Sequence, residues 1–432
     1  MESKGTRKVF HAGRAEYAAL KQLGEAFVMR MMTRRQLLAR AFLVLIVLLL
    51  TAVGYYWTEI ARVYHVIRLF ERDLIVGNFR AMDAMFQTTS VRRADRPHEF
   101  VLVPRDLPRS YQYKGESKDL ARFLEETGTT GLVVLRDGAI SYEQYFRGQS
   151  AQSKTISWSV AKSFISALVG IAVAEGRIRD IGDPISNYVP RLRGSGYDGV
   201  PIKRVLQMAS GIRFNEDYGD FWSDINRLGR AIAFNTSLDE FVASLEREYE
   251  PGSCHHYVSM DTQALGMLLR AATGEALASY LESRIWRRIG MESDAYWLID
   301  RDGMELAFGG LNAVLRDYAR FGQLVLNEGA WNGEQVVPRE WFRAGTVHSA
   351  PRECPRHTPS LGLGYGYQWW VPPGEGDYLA IGVYNQFVYV HPRHRVVIAK
   401  SSAYPDYNRD GTDKELESIA IFRAIAAHVA RQ

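Results

Sequence analysis

The sequence contains very little cysteine. Cys254 and Cys354 are the two cysteines among 432 residues. Two cysteines are too few for a framework of several disulfides or for a zinc site built from cysteine ligands. One disulfide between them stays possible in an oxidising compartment. We therefore expect a protein that is held together by an ordinary hydrophobic core.

The motifs of several large enzyme classes are absent as well. The chain has no Gly-x-Ser-x-Gly turn, which an α/β-hydrolase needs to present its nucleophile. It also has no His-Glu-x-x-His zinc motif and no glycine-rich nucleotide loop. The close histidine groupings, His255-His256 and His391-Pro392-Arg393-His394, have spacings that suit a metal ion poorly. We expect these histidines to be solvated or structural, and we expect no metal and no cofactor.

A large excess of one charge sign is lacking too. The chain has 53 Lys and Arg against 49 Asp and Glu, which gives a formal net charge of +4. Much of this surplus lies in residues 1–40, so the composition predicts no nucleic-acid surface. With 47% hydrophobic and 24% charged residues, the chain can bury a large core in one or two compact units.

One long hydrophobic run is present, and it lies near the N-terminus. Residues 41–57 carry no charge, follow the basic residues of 1–40 and end in Tyr55, Tyr56 and Trp57. This pattern is typical of a membrane-spanning helix whose basic flank stays in the cytoplasm. We expect a cytoplasmic tail over 1–40, a single transmembrane or signal-anchor segment over 41–57, and the rest of the chain on the periplasmic side of the inner membrane. No small-x-small cleavage site follows the run, which favours an uncleaved anchor.

The next segment, residues 58–109, mixes apolar and basic residues without a clear period. We interpret it as a juxtamembrane stem. Regular patterns begin only after it, so the sequence predicts a folded domain over residues 110–432.

The domain is organised around the stretch from Ser157 to Gly176. It begins with Ser159-Val160-Ala161-Lys162 and continues as an apolar run that predicts a buried helix. Serine and lysine three residues apart lie on the same face of a helix. Burial and the positive helix N-terminus can keep the lysine amine unprotonated, so that it takes the serine proton. The alternative is an N-cap serine followed by a solvated lysine.

The remaining segments predict an α+β fold, with helices on one side of an antiparallel sheet and a helical insert in the middle. An Asp137-Gly138 turn between two β-rich runs is a strong hairpin signal. The predicted helices cover 202–208, 238–245, 261–272, 313–326 and 414–428, and the late β-rich runs cover 365–371, 383–390 and 396–400.

Three segments together resemble the active-site elements of the penicillin-recognising serine hydrolases. They are Ser159-Val160-Ala161-Lys162, Tyr257-Val258-Ser259, and the glycine turn Gly382-Val383-Tyr384-Asn385-Gln386. The chain is most similar to the class C β-lactamase-like subgroup that includes 6-aminohexanoate-dimer hydrolase and related esterases. The resemblance covers about residues 110–430 and implies an antiparallel sheet flanked by helices, with a helical subdomain.

The resemblance also implies a role for each of these residues. Ser159 is the acylated nucleophile, and Lys162 takes or relays its proton. Tyr257 acts as a partial phenolate or through hydrogen bonding, and it protonates the leaving group and later activates water. Ser259 completes the hydrogen-bond relay. The backbone N–H groups of Ser159 and Val383 form the oxyanion hole.

Two loops are predicted to contact the substrate. The aromatic and acidic loop over 213–222 contains Glu216, Asp217 and Tyr218, and the alternative for it is an ordinary surface loop. Gly382 lies in the turn beside the predicted oxyanion hole. These residues complete the set of predicted site residues.

The chain departs from the family where most β-lactamases and penicillin-binding proteins have Lys-Thr-Gly. Ala380-Ile381-Gly382 takes that place, so the carboxylate of a β-lactam lacks its cationic partner. We therefore expect a serine hydrolase that cleaves an amide or ester of a small acyl group. The alternatives are a D-amino-acid peptidase or peptidoglycan-processing enzyme, and a non-catalytic binder of cell-wall fragments. The sequence leaves the acyl and leaving groups and the oligomeric state open.

Overall fold

The structure, a computed structural model, describes residues 6–355 and 361–432, with side chains described from residue 17 onward. It separates into two units, Met1–Ala61 and Arg62–Gln432. The first unit consists largely of one helix, Thr6–Tyr55, whose segment Tyr17–Tyr55 is long and apolar enough to cross a membrane. Such a helix near the N-terminus is typical of a signal anchor or a membrane span. Residues 1–5 of the predicted cytoplasmic tail lie outside the described part of the chain.

The elements are numbered along the chain. The helices are α1 Thr6–Tyr55, α2 Trp57–Arg68, α3 Ile75–Asn78, α4 Met82–Met85, α5 Leu120–Glu126, α6 Ala161–Ala174, α7 Ile202–Leu206, α8 Asp224–Ala233, α9 Leu238–Ala243, α10 Ser259–Thr273, α11 Leu277–Leu281, α12 Leu315–Leu326, α13 Arg339–Gly345 and α14 Tyr407–Val429. The strands are β1 Thr88–Val91, β2 Ser110–Tyr113, β3 Glu116–Asp119, β4 Thr129–Arg136, β5 Ala139–Tyr145, β6 Lys154–Ile156, β7 Ala295–Leu298, β8 Leu311–Val314, β9 Ala330–Trp331, β10 Glu334–Gln335, β11 Gly364–Tyr365, β12 Trp370–Val371, β13 Tyr378–Gly382, β14 Gln386–His391 and β15 Val396–Ser402.

A seven-stranded antiparallel sheet forms the centre of the second unit. Its strand order is β11-β12-β13-β14-β15-β4-β5, so the two ends of the domain sequence meet where β15 pairs with β4. The hairpin predicted around Asp137-Gly138 is confirmed, because β4 and β5 pair directly on either side of this turn. The φ angles of both turn residues are positive, 50° at Asp137 and 80° at Gly138, as a tight hairpin turn requires.

Side chains of the central sheet alternate between two apolar layers. Val397 and Ala399 of β15 face the layer that contains α12, whereas Val396 and Ile398 face the layer that contains α14. The α+β class and the antiparallel sheet are therefore confirmed. The expectation that the helices lie on one side of the sheet was wrong, because both faces of these strands are apolar and each is covered.

The helix α12 lies unusually close to the sheet. A Cβ atom on its Gly322 would come within 2.5 Å of Val397 and 2.9 Å of Val388. Any larger residue at this position would push the helix away from β14 and β15. The predicted helix over 313–326 begins slightly later than expected, since Leu311–Val314 instead forms β8 between β6 and β7.

Residues 62–109 differ from the predicted juxtamembrane stem, because they are part of the second unit. Strand β1 pairs with β7, about two hundred residues further along the chain. Ile75, Phe79 and Met82 are almost fully buried in the main core. The carbonyl oxygen of Phe79 accepts a hydrogen bond from the Ile156 amide at 3.1 Å. The folded unit therefore begins near Arg62.

This boundary makes a testable prediction about truncated chains. Burying one large apolar side chain is worth about 1.5–3 kcal/mol, so removing residues 62–109 costs several of these contributions. We expect residues 62–432 to unfold in one cooperative thermal transition, and residues 110–432 to aggregate or to melt at least about 10 °C lower. Differential scanning calorimetry of the two fragments checks this. Equal melting temperatures would show that the segment adds nothing to the fold.

Candidate active site

Ser159 lies in a 3₁₀ turn, Trp158–Val160, that leads directly into α6. The residue before it, Trp158, has a φ of 43°, in the left-handed region that a tryptophan rarely adopts. Aromatic rings surround the Trp158 side chain: Phe70, Phe79 and Tyr384 have ring centroids 5.4–6.1 Å away. This packing holds the turn in place, and Ser159 remains 9% exposed at the end of the buried helix.

The Lys162 side chain is buried and reaches back toward Ser159. Its Nζ lies 2.9 Å from Ser159 Oγ, 3.2 Å from Ser259 Oγ and 2.9 Å from the carbonyl oxygen of Phe308. Burial lowers the pKa of Lys162 from 10.5 to about 7, and the nearby carboxyl of Glu216 opposes this shift. A substantial fraction of the lysine is therefore unprotonated at neutral pH, as a general base must be.

Tyr257 lies beside Ser159 in the lining of the cleft. Its phenol hydrogen-bonds to Ser159, and its ring stacks on Trp370 with centroids 5.3 Å apart. Lys162 Nζ lies 5.2 Å from the Tyr257 ring centroid. Burial first, and the negative charge of Glu216 second, raise the pKa of Tyr257 well above 10. A pKa raised in this direction corresponds to a neutral phenol rather than to a partial phenolate at neutral pH.

Ser259 and Glu216 continue the polar chain behind Lys162. The Ser259 hydroxyl donates to Glu216 Oε1 at 2.5 Å, and the Ser259 amide donates to Glu216 Oε2 at 3.1 Å. Tyr218 donates its phenol proton to Glu216 Oε1 at 3.2 Å. Glu216 and Tyr218 both line the cleft, and the Glu216 carboxylate accepts hydrogen bonds from Ser259 and Tyr218.

The glycine turn after β13 lies against the nucleophile turn. A Cβ atom on Gly382 would come within 2.6 Å of the Ser157 carbonyl oxygen and 3.1 Å of the Ser159 nitrogen. Only glycine allows β13 to end this close to Ser159. Val383 follows directly and lines the cleft together with Ser159.

The Gln386 side chain fixes the shape of this turn. Its Nε2 donates to the carbonyl oxygens of Tyr384 and Ser402, at 3.1 and 2.5 Å, and its Oε1 accepts from the Ser402 amide at 3.2 Å. Tyr384 and Asn385 both have positive φ, 62° and 68°. The buried glutamine thus connects the turn to the neighbouring strand β15.

These groups open into a cleft of about 890 Å³. Its described lining includes Ser159, Tyr257, Val383 and the loop over 213–219. Asp217 also lies there, exposed, with its Oδ1 accepting from the Gly219 amide of its own loop at 2.8 Å. Of the predicted site residues, Ser159, Glu216, Asp217, Tyr218, Tyr257 and Val383 line this cleft. Lys162, Ser259 and Gly382 are not part of its lining and lie directly behind it, in contact with Ser159 or with each other.

Comparison with known proteins agrees with this geometry. The sequence model of the family described as Beta-lactamase matches residues 117–420. The chain belongs to the β-lactamase family. A protein named 6-aminohexanoate-dimer hydrolase from Paenarthrobacter ureafaciens is 33% identical over 300 residues, which cover 67% of this chain and 76% of that protein. Since such relatives are hydrolases, this chain is a hydrolase of the β-lactamase fold.

Two further relatives extend the comparison. A solved structure described as a putative 6-aminohexanoate-dimer hydrolase from Bacillus anthracis has a TM-score of 0.76 and 24% identity, and the match covers 84% of this chain and 96% of that one. This likeness shows the shared fold. A putative D-alanyl-D-alanine carboxypeptidase from Escherichia coli is 24% identical over 161 residues, which cover 36% of each protein.

Cys254, three residues before Tyr257 in the sequence, forms a disulfide with Cys354, so the single bond that the sequence left open is present. The neighbouring residues are joined as well: His255 Nδ1 lies 3.2 Å from Glu353 Oε2, and the Cys354 amide donates to the His255 carbonyl at 2.9 Å. These contacts connect the segment before Tyr257 to a distant part of the chain.

Removing this disulfide is expected to destabilise the fold. A cross-link between cysteines separated by 100 residues restricts the unfolded chain strongly, and such bonds typically contribute about 2–4 kcal/mol. We expect the Cys254→Ser/Cys354→Ser variant to lose about that much free energy of unfolding in urea titrations. Adding dithiothreitol should lower the stability of the wild type and leave the variant unchanged. A variant as stable as the oxidised wild type would contradict this expectation.

Of the four histidines in the two close groupings, His256 lines the cleft, with its Nε2 2.7 Å from the Phe214 carbonyl oxygen, and the other three are absent from the described lining. His391 is buried, with Nδ1 accepting from the His394 amide at 3.3 Å and Nε2 3.0 Å from Glu375 Oε2. Both ring nitrogens are engaged by protein groups, which fits a structural role.

Two parts of the site carry no obvious signal in the sequence. The carbonyl oxygen of Phe308 is a backbone group, so nothing in its side chain marks it as a Lys162 partner. The adjacent Gly309-Gly310 pair is the one local hint of a close approach, and Gly309 indeed packs against the backbone of Trp158. Gln386 belongs to the glycine turn of the sequence motif, but its hydrogen bonds to Ser402 depend on the position of β15, which the motif does not reveal.

Proposed function

We propose that this hydrolase cleaves an amide or small ester through an acyl-enzyme on Ser159. The observation that carries the proposal is the 2.9 Å contact between Ser159 Oγ and the buried amine of Lys162. In this scheme the lysine nitrogen takes the hydroxyl proton while Oγ attacks the substrate carbonyl carbon. The N–H groups of Ser159 and Val383 stabilise the negative charge that develops on the carbonyl oxygen.

Tyr257 is proposed to serve the leaving group. Its neutral phenol donates a proton to the departing nitrogen or oxygen as the bond to the acyl carbon breaks, and the Lys162 ammonium returns a proton to the phenolate. In the second half of the reaction, the hydrolysis of the acyl-enzyme, water attacks the acyl carbon and gives a proton to the Tyr257–Lys162 pair. The bond to Ser159 Oγ then breaks, and the oxygen regains its proton. The product acid leaves and the resting state is restored.

The charges of the cleft favour substrates without a carboxylate near the reacting bond. Its described lining includes six carboxyl groups, those of Glu216, Asp217, Asp224, Glu248, Glu353 and Glu415, against one arginine, Arg213. Ala380-Ile381-Gly382 adds no cation beside the turn. A β-lactam carboxylate is therefore poorly matched. The name of the Paenarthrobacter relative, a hydrolase of a 6-aminohexanoate dimer, points to an amide as the substrate class.

A peptidase acting on D-amino-acid amides is the second candidate. The carboxypeptidase-like relative and the proposed extracytoplasmic location favour it. We further propose that residues 1–40 are a cytoplasmic tail, that 41–57 anchor the chain in the inner membrane, and that the hydrolase unit lies in the periplasm. The disulfide supports this side of the membrane, because cytoplasmic thiols are generally kept reduced.

Four substrate types and one probe test the proposal on residues 62–432. We expect labelling by a fluorophosphonate probe, turnover of short-chain esters or of linear amides, and little turnover of nitrocefin. Preferred turnover of D-amino-acid amides would favour the peptidase. The absence of labelling in folded protein would favour a binder of cell-wall fragments and contradict the proposal.

The pH dependence follows from the pKa of Lys162. The amine accepts the Ser159 proton only when it is unprotonated, and its pKa is about 7. We expect the labelling rate to fall as the pH decreases through about 7 and to level off above about pH 8. Labelling rates between pH 5 and 9 check this. A rate that stays constant down to pH 5 would contradict the role of Lys162 as the base.

A further inference from the structure

The three polar neighbours of Lys162 determine where its lone pair can point. An unprotonated lysine amine has two N–H groups and one lone pair. The carbonyl oxygen of Phe308, at 2.9 Å, can only accept, so one N–H is directed at it. The second N–H and the lone pair remain for the hydroxyl groups of Ser159 and Ser259. Catalysis requires the lone pair to face Ser159.

The direction of the Ser259 hydroxyl proton decides whether the Lys162 lone pair faces Ser159 or Ser259. A serine hydroxyl has one proton to donate. If the proton points at Lys162, it occupies the lone pair and the amine cannot act as a base toward Ser159. If the proton points elsewhere, Ser259 Oγ can only accept from Lys162, and the lone pair is left for Ser159.

Glu216 supplies the acceptor that draws this proton away. Its Oε1 lies 2.5 Å from Ser259 Oγ, and an ionised carboxylate is purely an acceptor. The Ser259 amide holds the other oxygen at 3.1 Å, so both oxygens of Glu216 are in position to accept from the same residue. The Tyr218 phenol also donates to Oε1, at 3.2 Å. Of these two donors to Glu216, Ser259 is the one that also contacts Lys162.

We propose that Glu216 is a positioning residue: through Ser259 it orients the hydrogen bonds of Lys162 so that the lysine lone pair faces Ser159. The inference rests on the proposed acyl-enzyme function. It gives Glu216 a different role from the substrate contact predicted from the sequence.

Replacing Glu216 with glutamine tests this orientation, because glutamine keeps the shape and loses one acceptor. If the amide oxygen faces the Ser259 hydroxyl, the amide NH₂ faces the Ser259 N–H, where two donors meet. If the amide is turned over, its NH₂ donates to Ser259 Oγ and frees the hydroxyl proton for Lys162. Both orientations of the glutamine amide therefore disfavour the state in which the Lys162 lone pair faces Ser159.

The same change has a distinct effect on pH dependence. The Glu216 carboxylate raises the pKa of Lys162, so replacing the carboxylate with an amide lowers that pKa. The pH at which the labelling rate begins to fall is then lower than in the wild type. In the described part of the chain, the other titratable groups that interact with this pair are four phenols and one carboxyl group: Tyr197, Tyr218, Tyr257, Tyr365 and Asp261. Glutamine leaves all of them in place. This shift follows from the loss of charge whatever the role of Glu216, so the plateau rate and the double variant are the measurements that test the orientation.

The experiment measures fluorophosphonate labelling rates between pH 5 and 9 for wild type, Glu216→Gln, Ser259→Ala and the double variant. Glu246→Gln is the matched control, because Glu246 is an exposed carboxylate paired with Arg213. At high pH, where the labelling rate no longer changes with pH, we expect Glu216→Gln to label about 10²-fold more slowly than wild type. We also expect its labelling rate to begin falling at a lower pH than that of the wild type. The double variant should be no slower than Ser259→Ala alone, since Glu216 acts through that hydroxyl. Glu246→Gln should match the wild type.

A Glu216→Gln plateau rate within about threefold of wild type, or additive losses in the double variant, would each overturn the inference. If Glu216→Gln does not fold, Ser259→Ala decides, because a wild-type rate without the hydroxyl would also overturn it. Failure of the wild type to label would instead refute the proposed function itself. The two failures are therefore distinguishable.

Discussion

Replacing Ser159 with alanine is expected to abolish hydrolysis and probe labelling. Removal of the nucleophile from a well-studied serine protease lowers kcat by about 10⁶-fold, and we expect a loss of that order here, limited by assay background. The variant should fold normally, because the packing of Trp158 holds the turn that contains Ser159 and alanine fits where serine does. Steady-state hydrolysis of the best ester, measured beside the melting temperature, checks both statements.

Ser166 offers a matched control on the same helix. Its hydroxyl is buried and accepts a hydrogen bond from the Trp341 indole at 3.3 Å, away from the cleft. We expect Ser166→Ala to lose about 1 kcal/mol of stability and to keep its activity within a few-fold. Equal activities for Ser159→Ala and Ser166→Ala would show that Ser159 takes no part in the reaction.

Replacing Lys162 separates a base from a simple positive charge. Arginine keeps the charge but does not lose its proton in proteins, whereas methionine removes both. If Lys162 is the base, we expect both variants to lose about 10³-fold or more in kcat/KM. If the charge alone matters, Lys162→Arg should be far more active than Lys162→Met. Lys203→Met, on α7 and outside the cleft lining, serves as the control for losing a lysine.

Local patterns carried much of the fold. The β4–β5 hairpin was predictable because its turn chemistry is contained in a few residues, and α6 was predictable because its apolar run ends at Gly176, whose φ is +70°. The helix begun by Ser237 was equally local, since that side chain accepts from the Glu240 amide. Each of these elements is specified by side chains within one or two turns of it.

The segment over 62–109 could not be predicted in this way. Its helices α3 and α4 and its strand β1 are four residues each, too short to show a period. Their burial depends on partners far along the chain, such as the pairing of Val91 with Ala295. Short elements that are stabilised mainly by distant contacts look like a linker in the sequence.

In the candidate site too, contacts between residues close in the sequence could be predicted, and contacts between distant residues could not. Ser159 and Lys162 could be placed together from helix geometry, because three residues bring them onto one face. The contact of Tyr257 with Ser159 came from the family resemblance, since nearly one hundred residues separate them. The orientation of Ser259 toward Glu216 needed coordinates, because no spacing rule connects a loop carboxylate to a serine on α10.

Mass spectrometry of the trapped intermediate tests the central claim most directly. Residues 62–432 are mixed with a slowly hydrolysed ester, quenched in acid within seconds and digested. If the side chains at positions 159, 162 and 257 form one acylating centre, the peptide that contains Ser159 gains the mass of the acyl group, and neither Ser159→Ala nor Lys162→Met shows it. Turnover without any modified peptide, or an acyl group on another residue, would contradict the account.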